Sequence, residues 1–353
     1  MKARALRPLA LAGSVAGLLA GTALATQYAT PWPAALLIRT AFEEGGRRTA
    51  RETARHAPTA GVRARLGLRL GSPGGPACDV FTPAAGAEAL PAVCWIHGGS
   101  WISGSRSDVA PYLRIIASHG FTAVGLDYSV APERRYPTPL HELLEVLGRV
   151  IDHAADLRVD PSRIVLAGDS AGAQLASQVA VAIREPAYAE RIGVRPTVAP
   201  EQLRAVVLHC GVYDLPAVER LGRLLQWGLN AALWAYTGRR RWTATRAATE
   251  MSTITQVTAA FPPTYVGAGN GDPLTRTQSI PFAWRLRGLG VPVTERFWDR
   301  DHRPALPHEF QFHLDRPEAR QVLAETLDFL RAAVCPEDPV TPRVKPDQGG
   351  PAR

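Results

Sequence analysis

Apolar and polar positions along this 353-residue chain change period in a regular way. Residues 62–70 and 78–81 alternate between the two classes, as strands with one face on a core do. Beyond them, short β-branched apolar runs near 92–97, 121–127, 163–167, 204–210, 263–267 and 292–298 alternate with helical-period segments near 108–119, 138–156, 172–184, 275–289 and 316–333. Continuous apolar runs bounded by turns fit strands buried on both faces. Their alternation with helices predicts an α/β domain over 61–334, with a mostly parallel sheet covered on both sides and the first two strands antiparallel. Ligands of such sheets bind beyond the carboxyl ends of the strands. One insertion, 215–258, carries Leu221, Leu224, Leu225, Leu229 and Leu233 at helical spacing, with Trp227, Trp234, Tyr236 and Trp242 among them.

Three motifs fall where those strands end. The run Ile164-Val165-Leu166-Ala167 leads into Gly168-Asp169-Ser170-Ala171-Gly172 and then an alanine-rich helix. Strand, tight turn and helix around Gly-x-Ser-x-Gly is the arrangement a nucleophile elbow requires. The turn pushes the Ser170 hydroxyl out over the sheet, and the helix N-terminus beneath it favours negative charge. Upstream, an apolar strand runs into His97-Gly98-Gly99-Ser100-Trp101. Backbone without side chains approaches a substrate closely, so the amides of Gly98 and Gly99 are expected to point at a developing oxyanion, joined by the amide of Ala171. His97 is expected to brace that loop by hydrogen bonding. The third motif is Asp127-Tyr128-Ser129-Val130-Ala131-Pro132-Glu133, followed by Tyr136-Pro137.

With His-Gly-Gly, Asp-Tyr-x-x-Ala-Pro-Glu and Gly-Asp-Ser-Ala-Gly in this order, the chain resembles the hormone-sensitive-lipase branch of the α/β-hydrolases over roughly 62–333. That branch includes bacterial acetyl esterases and carboxylesterases. It often carries a third glycine where this chain has Ser100, and His-Gly-Gly-x-Trp is similar to the variant of arylformamidases and related carboxylesterases. A serine nucleophile needs a base and an orienting acid, in the chain order Ser, Asp or Glu, His. The resemblance implies that Asp272, in Asn270-Gly271-Asp272-Pro273-Leu274, is the acid and that His308, in His308-Glu309-Phe310, is the base. His302, in the charged run 299–303, and His313 are the other histidines after Asp272. The resemblance also makes 215–258 a helical cap, with Trp101, Trp227 and Trp234 facing a substrate pocket. The expected activity is that of a serine esterase hydrolysing short- to medium-chain carboxylic esters, with a small-molecule ester as partner. An arylformamidase-type amidase and a non-catalytic envelope-binding module are the alternatives.

Composition adds constraints. Lysine and arginine total 40 against 32 acids, and Lys2 and Lys345 are the only lysines. Without a recognisable nucleic-acid fold, Arg47-Arg48 and Arg239-Arg240-Arg241 read as solvated surface, and no nucleic-acid partner is expected. Of four cysteines, Cys94 and Cys210 fall on interior strands and are expected to be free, buried and inert. Nothing in the sequence pairs Cys78 with Cys335. No Cys/His spacing suggests a metal, and no cofactor is expected. Lys2, Arg4 and Arg7 precede an apolar stretch from 8 to 25 that ends in Ala23-Leu24-Ala25. This reads as a signal peptide or N-terminal anchor over 1–25, hence export, and allows membrane or cell-envelope association. Residues 26–60 are expected to be helical, with an amphipathic stretch at 28–42 that packs on the cap or rests on a membrane surface. The Pro/Gly-rich tail 335–353 is expected to be disordered.

Overall fold

The computed structural model describes residues 29–334; the leader and tail read from the sequence lie outside the described residues. Eight strands form one sheet: β1 (Val62–Leu68), β2 (Cys78–Pro83), β3 (Leu90–Ile96), β4 (Thr122–Leu126), β5 (Val159–Asp169), β6 (Leu203–His209), β7 (Thr264–Gly267) and β8 (Val293–Arg296). Their order is β1-β2-β4-β3-β5-β6-β7-β8. The first two pairings, β1 with β2 and β2 with β4, are antiparallel, and all the others are parallel.

The apolar runs look featureless in sequence because both faces of the sheet are covered. In space they still alternate. Ala92, Cys94 and Ile96 of β3, Ile164 and Leu166 of β5, and Val206 and Leu208 of β6 fill one core. Val93 and Trp95, Val165 and Ala167, and Ala205 and Val207 fill the other. The first core is closed by the helices Thr138–Asp152, Ala171–Arg184 and Ile280–Gly288. The second is closed by Arg106–Ser118 and Pro317–Val334. A period of two across strands and 3.6 across helices sorts the side chains with no polar face left on the central strands.

Two details depart from the sequence reading. A short helix, Pro186–Ile192, is not among the expected elements, and the segment near 275–289 begins as a π-helical turn, Thr275–Ser279, before becoming α. The N-terminal helix spans Trp32–Ala54, inside the 26–60 stretch expected to be helical and running beyond its amphipathic part at 28–42. It lies against Arg106–Ser118 and the cap helix Arg223–Thr237. Arg39 anchors it, donating to the carbonyls of Ile102 (2.6 Å) and Ala131 (2.7 Å) and pairing with Glu133 at 2.6 Å. At its far end the Thr53 hydroxyl donates to the carbonyl of Phe312 at 2.8 Å. No described helix is long and apolar enough to cross a membrane.

The helix after β5 passes very close to the end of β3 at Gly172. A Cβ at Gly172 would collide with the backbone carbonyls of Ile96 and His97, neither of which can rotate away. Gly172→Ala is therefore expected to lower the unfolding free energy by about 1–3 kcal/mol or more. Urea unfolding of the two proteins measures it, and equal stability would mean that the helix can move off the strand freely.

Candidate active site

Ser170 sits between β5 and the helix Ala171–Arg184 at φ 51°, ψ −119°. That left-handed φ is one a β-carbon resists, and the structure holds it by donating the Ser170 amide to the carbonyl of His209 at 2.9 Å. Asp272 follows β7 and His308 follows β8, so all three side chains lie beyond carboxyl ends of parallel strands. His308 Nε2 is 2.9 Å from Ser170 Oγ, and His308 Nδ1 is 2.8 Å from Asp272 Oδ2. The other Asp272 oxygen accepts the Leu274 amide at 2.8 Å, which fixes the carboxylate. With Nδ1–H donating to Asp272, Nε2 is left to accept the Ser170 proton. Burial alone would lower the pKa of His308; Cys210 and Asp272 raise it, and the net position is well above 6.5.

The structure joins His308 to Ser170 and Asp272 and sends the other two late histidines elsewhere. His302 Nε2 faces Glu318 at 3.0 Å, and His313 Nδ1 faces Glu52 of the N-terminal helix at 2.9 Å. His97 does brace its loop: Nδ1–H donates to the carbonyl of Gly98 at 2.8 Å and the ring stacks on Tyr128. Burial pushes its pKa down and keeps it neutral. Asp127 of the third motif accepts the Arg106 amide at 2.8 Å and its guanidinium, holding the loop from outside.

The glycine loop corrects one expectation. The amide of Gly98 does not face a substrate; it donates to Asp169 Oδ2 at 2.9 Å. Asp169 Oδ1 accepts Trp95 Nε1–H at 2.7 Å, so this carboxyl is committed on both sides. Burial first, and then the adjacent Glu309 carboxylate, hold the Asp169 pKa well above the usual range. In this loop Gly99 and Ser100 line the cavity, and their amides have no backbone acceptor among the described residues. Ala171, as the first residue of its helix, has no intrahelical acceptor for its amide. Ser100 was not foreseen as a donor. The available signal was its position, where the resembling branch carries a third glycine: Ser100 has φ 52° and Trp101 φ 61°.

Above these groups lies a cavity of about 460 Å³. Of the three tryptophans expected in its wall, Trp101 is there, fully buried, with Nε1–H donating to Gln174 at 3.0 Å and the ring stacked on Tyr236. Trp227 and Trp234 are not. The cap helix turns Leu225 and Leu229 into the cavity. At about 100° per residue, positions 227 and 234 then fall roughly half a turn away from 225. Trp227 is accordingly 45% exposed, and Trp234 carries the Arg240 guanidinium over its ring. The wall they were expected to supply comes instead from the N-terminal helix, through Phe42, Gly46 and Thr49. The pair Gly45-Gly46 was the signal, since a Cβ at Gly46 would sit 3.1 Å from the Asp108 carboxyl carbon.

Cys78, Cys94 and Cys210 are free and buried; Cys335 lies outside the described residues. Burial pushes the Cys210 thiol up to about 11, against the opposing pull of His308. Its place is less bland than a strand interior: it directly follows β6 at φ 44°, beside His308 and Asp272. His209 before it is a sheet residue stacked on Trp95, kept neutral by burial with a pKa of about 3.

A family model described as the alpha/beta hydrolase fold matches residues 93–311. Carboxylesterase NlhH of Mycobacterium tuberculosis is 28% identical over 269 residues, covering 72% of this chain and 77% of that protein. An acetyl esterase of Salmonella choleraesuis is 34% identical over 122 residues, 34% of this chain and 35% of that one. Among solved structures, esterase B from Lactobacillus rhamnosis superposes with a TM-score of 0.74 at 21% identity, covering 86% of this chain and 96% of its own. An esterase of Pyrobaculum calidifontis gives a TM-score of 0.68 at 22% identity, over 85% and 94%.

Removing the Asp169 carboxyl leaves two buried donors, Trp95 Nε1–H and the Gly98 amide, without an acceptor. At about 1–3 kcal/mol for each orphaned group, Asp169→Ala is expected to lose roughly 2–6 kcal/mol of unfolding free energy. Chemical denaturation reads this directly, and a loss under about 1 kcal/mol would mean that these donors find other partners.

Proposed function

The chain belongs to the α/β-hydrolase fold family, and we propose that it is a serine esterase working through an acyl-enzyme. The observation that carries this reading is the unbroken chain Ser170 Oγ, His308 Nε2, His308 Nδ1, Asp272 Oδ2, with spacings of 2.9 and 2.8 Å, at the floor of a 460 Å³ cavity. Ser170 Oγ attacks the ester carbonyl carbon while Nε2 of His308 takes its proton. The carbonyl π electrons move onto oxygen, and the amides of Gly99, Ser100 and Ala171 stabilise that charge without having to reorganise. Asp272 holds the ring in the tautomer that presents a bare Nε2 and stabilises the imidazolium once formed. Collapse of the intermediate breaks the bond to the alkoxy oxygen, which leaves with the proton from Nε2. Water, deprotonated by the same nitrogen, then releases the acid and restores Ser170.

Phe42, Leu225 and Leu229 give the cavity apolar walls, and its size suits acyl chains of short to medium length. The basic-then-apolar leader over 1–25 supports export of the enzyme. Trp32, Leu36 and Leu37, exposed on the N-terminal helix, support contact with the cell envelope.

Ser170→Ala and His308→Ala are each expected to lower kcat/KM on p-nitrophenyl esters by roughly 10⁴-fold or more while leaving the fold intact. Along the series from acetate to palmitate, turnover should peak at short chains. Full activity of Ser170→Ala would end the proposal, and faster turnover of aryl formamides than of matched acetates would make the enzyme an amidase. The pH dependence has a definite sign. His308 is a base only when neutral, so kcat/KM is lost as pH falls through its pKa. Burial lowers that pKa and the Asp272 carboxylate, hydrogen-bonded to Nδ1, raises it with the net direction upward, so the acid limb is expected above pH 6.5. A limb centred below 6.5 would contradict this balance of burial and charge.

A further inference from the structure

The end of β6 delivers a thiol to the triad that ester hydrolysis does not use. The Sγ of Cys210, a carboxylate oxygen of Asp272 and a ring nitrogen of His308 all lie within 4.8 Å of one another. Among the described residues this is the one group of three His, Cys, Asp or Glu side chains with such spacing. Thiol, imidazole and carboxylate together make the donor set of zinc, which binds sulfur at about 2.3 Å and nitrogen or oxygen at about 2.0–2.2 Å. Donor atoms around a tetrahedral centre of that size stand roughly 3–4 Å apart, so the three side chains have to close by only about an ångström. A His–Asp pair alone supplies two ligands. With Cys210 the count becomes three, the number zinc keeps from protein when its fourth position stays open to water. Asp272 and His308 line the cavity, which gives an ion and its water a route in.

We propose that Cys210, Asp272 and His308 form a binding site for a thiophilic divalent cation such as zinc, and that occupancy switches the enzyme off. Asp272 meets the ring at Nδ1, so an ion held by both must replace the proton on that nitrogen. Cys210 Sγ–H gives its proton to solvent as the metal–sulfur bond forms. Nδ1 loses its proton and coordinates, while Nε2 gains one, so the ring stays neutral and one proton is released overall. Nε2–H then donates to Ser170 Oγ instead of accepting from it. The histidine is locked in the tautomer that cannot act as base. The metal site follows from the side-chain spacing alone; only its inhibitory effect rests on the esterase reading.

The test uses the full chain without an affinity tag. Zinc chloride is titrated during p-nitrophenyl acetate hydrolysis by the native protein, Cys210→Ser and Cys210→Ala. The native enzyme is expected to lose its activity with one zinc bound per chain and to recover it on addition of EDTA. Assayed on the alkaline plateau of each protein's own pH profile, where a change in the pKa of His308 no longer alters the rate, both variants should keep their zinc-free activity and require at least about tenfold more zinc for half-inhibition. A parallel cadmium titration reads the ultraviolet thiolate-to-metal charge-transfer band, expected in the native protein and absent from Cys210→Ser. That band reports the site even if no ester is turned over, so a failed esterase reading and a failed metal site give different results. If one variant does not fold, the other together with cadmium still decides. Equal zinc sensitivity in native and variant proteins, no inhibition at all, or an unchanged cadmium band in Cys210→Ser would each overturn the proposal.

Discussion

One buried carboxyl ties the site together. Asp169 is the last residue of β5, and it reaches the tip of β3 through Trp95 Nε1–H, the glycine loop through the Gly98 amide, and the histidine loop through Glu309. Three segments far apart in sequence are fixed relative to Ser170 by the residue next to it. A charged carboxylate so deeply buried is disfavoured, and burial together with the neighbouring Glu309 accordingly moves its pKa upward. The arrangement also releases Gly99 and Ser100. Because Gly98 is tied back to Asp169, the turn that follows is forced into left-handed backbone at Ser100 and Trp101, which leaves the next two amides unpaired at the cavity floor.

The cavity above is built by two segments that do not belong to the sheet. The cap helix supplies Leu225 and Leu229, and the N-terminal helix supplies Phe42 and the small residues that let it lie close to Asp108. Arg39 couples that helix to the third sequence motif through Ala131 and Glu133, and His313 couples it to the base loop through Glu52. The roof is therefore attached to the same loops that position the chemistry. Its outer surface remains apolar at Leu224 and Trp227, which are exposed.

Electrostatics divides the histidines by their surroundings. His97 and His209 are both buried; desolvation lowers both, outweighing for His97 the Asp127 carboxylate 3.8 Å from its Nε2, and they act as neutral packing and hydrogen-bonding groups. His308 is held against Asp272, and that contact raises its pKa where burial would lower it. The same contact draws Cys210 into the group, since the end of β6 lies between the ends of β5 and β7.

The sequence determined the sheet. Its eight strands and their order along the chain were legible because apolar period and turn chemistry are local properties, and so was the elbow, whose glycines and helix are neighbours in the chain. Asp272 and His308 were legible only through resemblance, because no local rule selects His308 over His302. Tertiary structure made that choice by turning one histidine toward Ser170 and the other toward Glu318. It also decided which amides stay free, which face of the cap helix looks inward, that the N-terminal helix closes the cavity, and that Cys210 belongs to the site. Each of these depends on the angle at which one segment meets another, and spacing along a chain carries no information about such angles until both cores have packed.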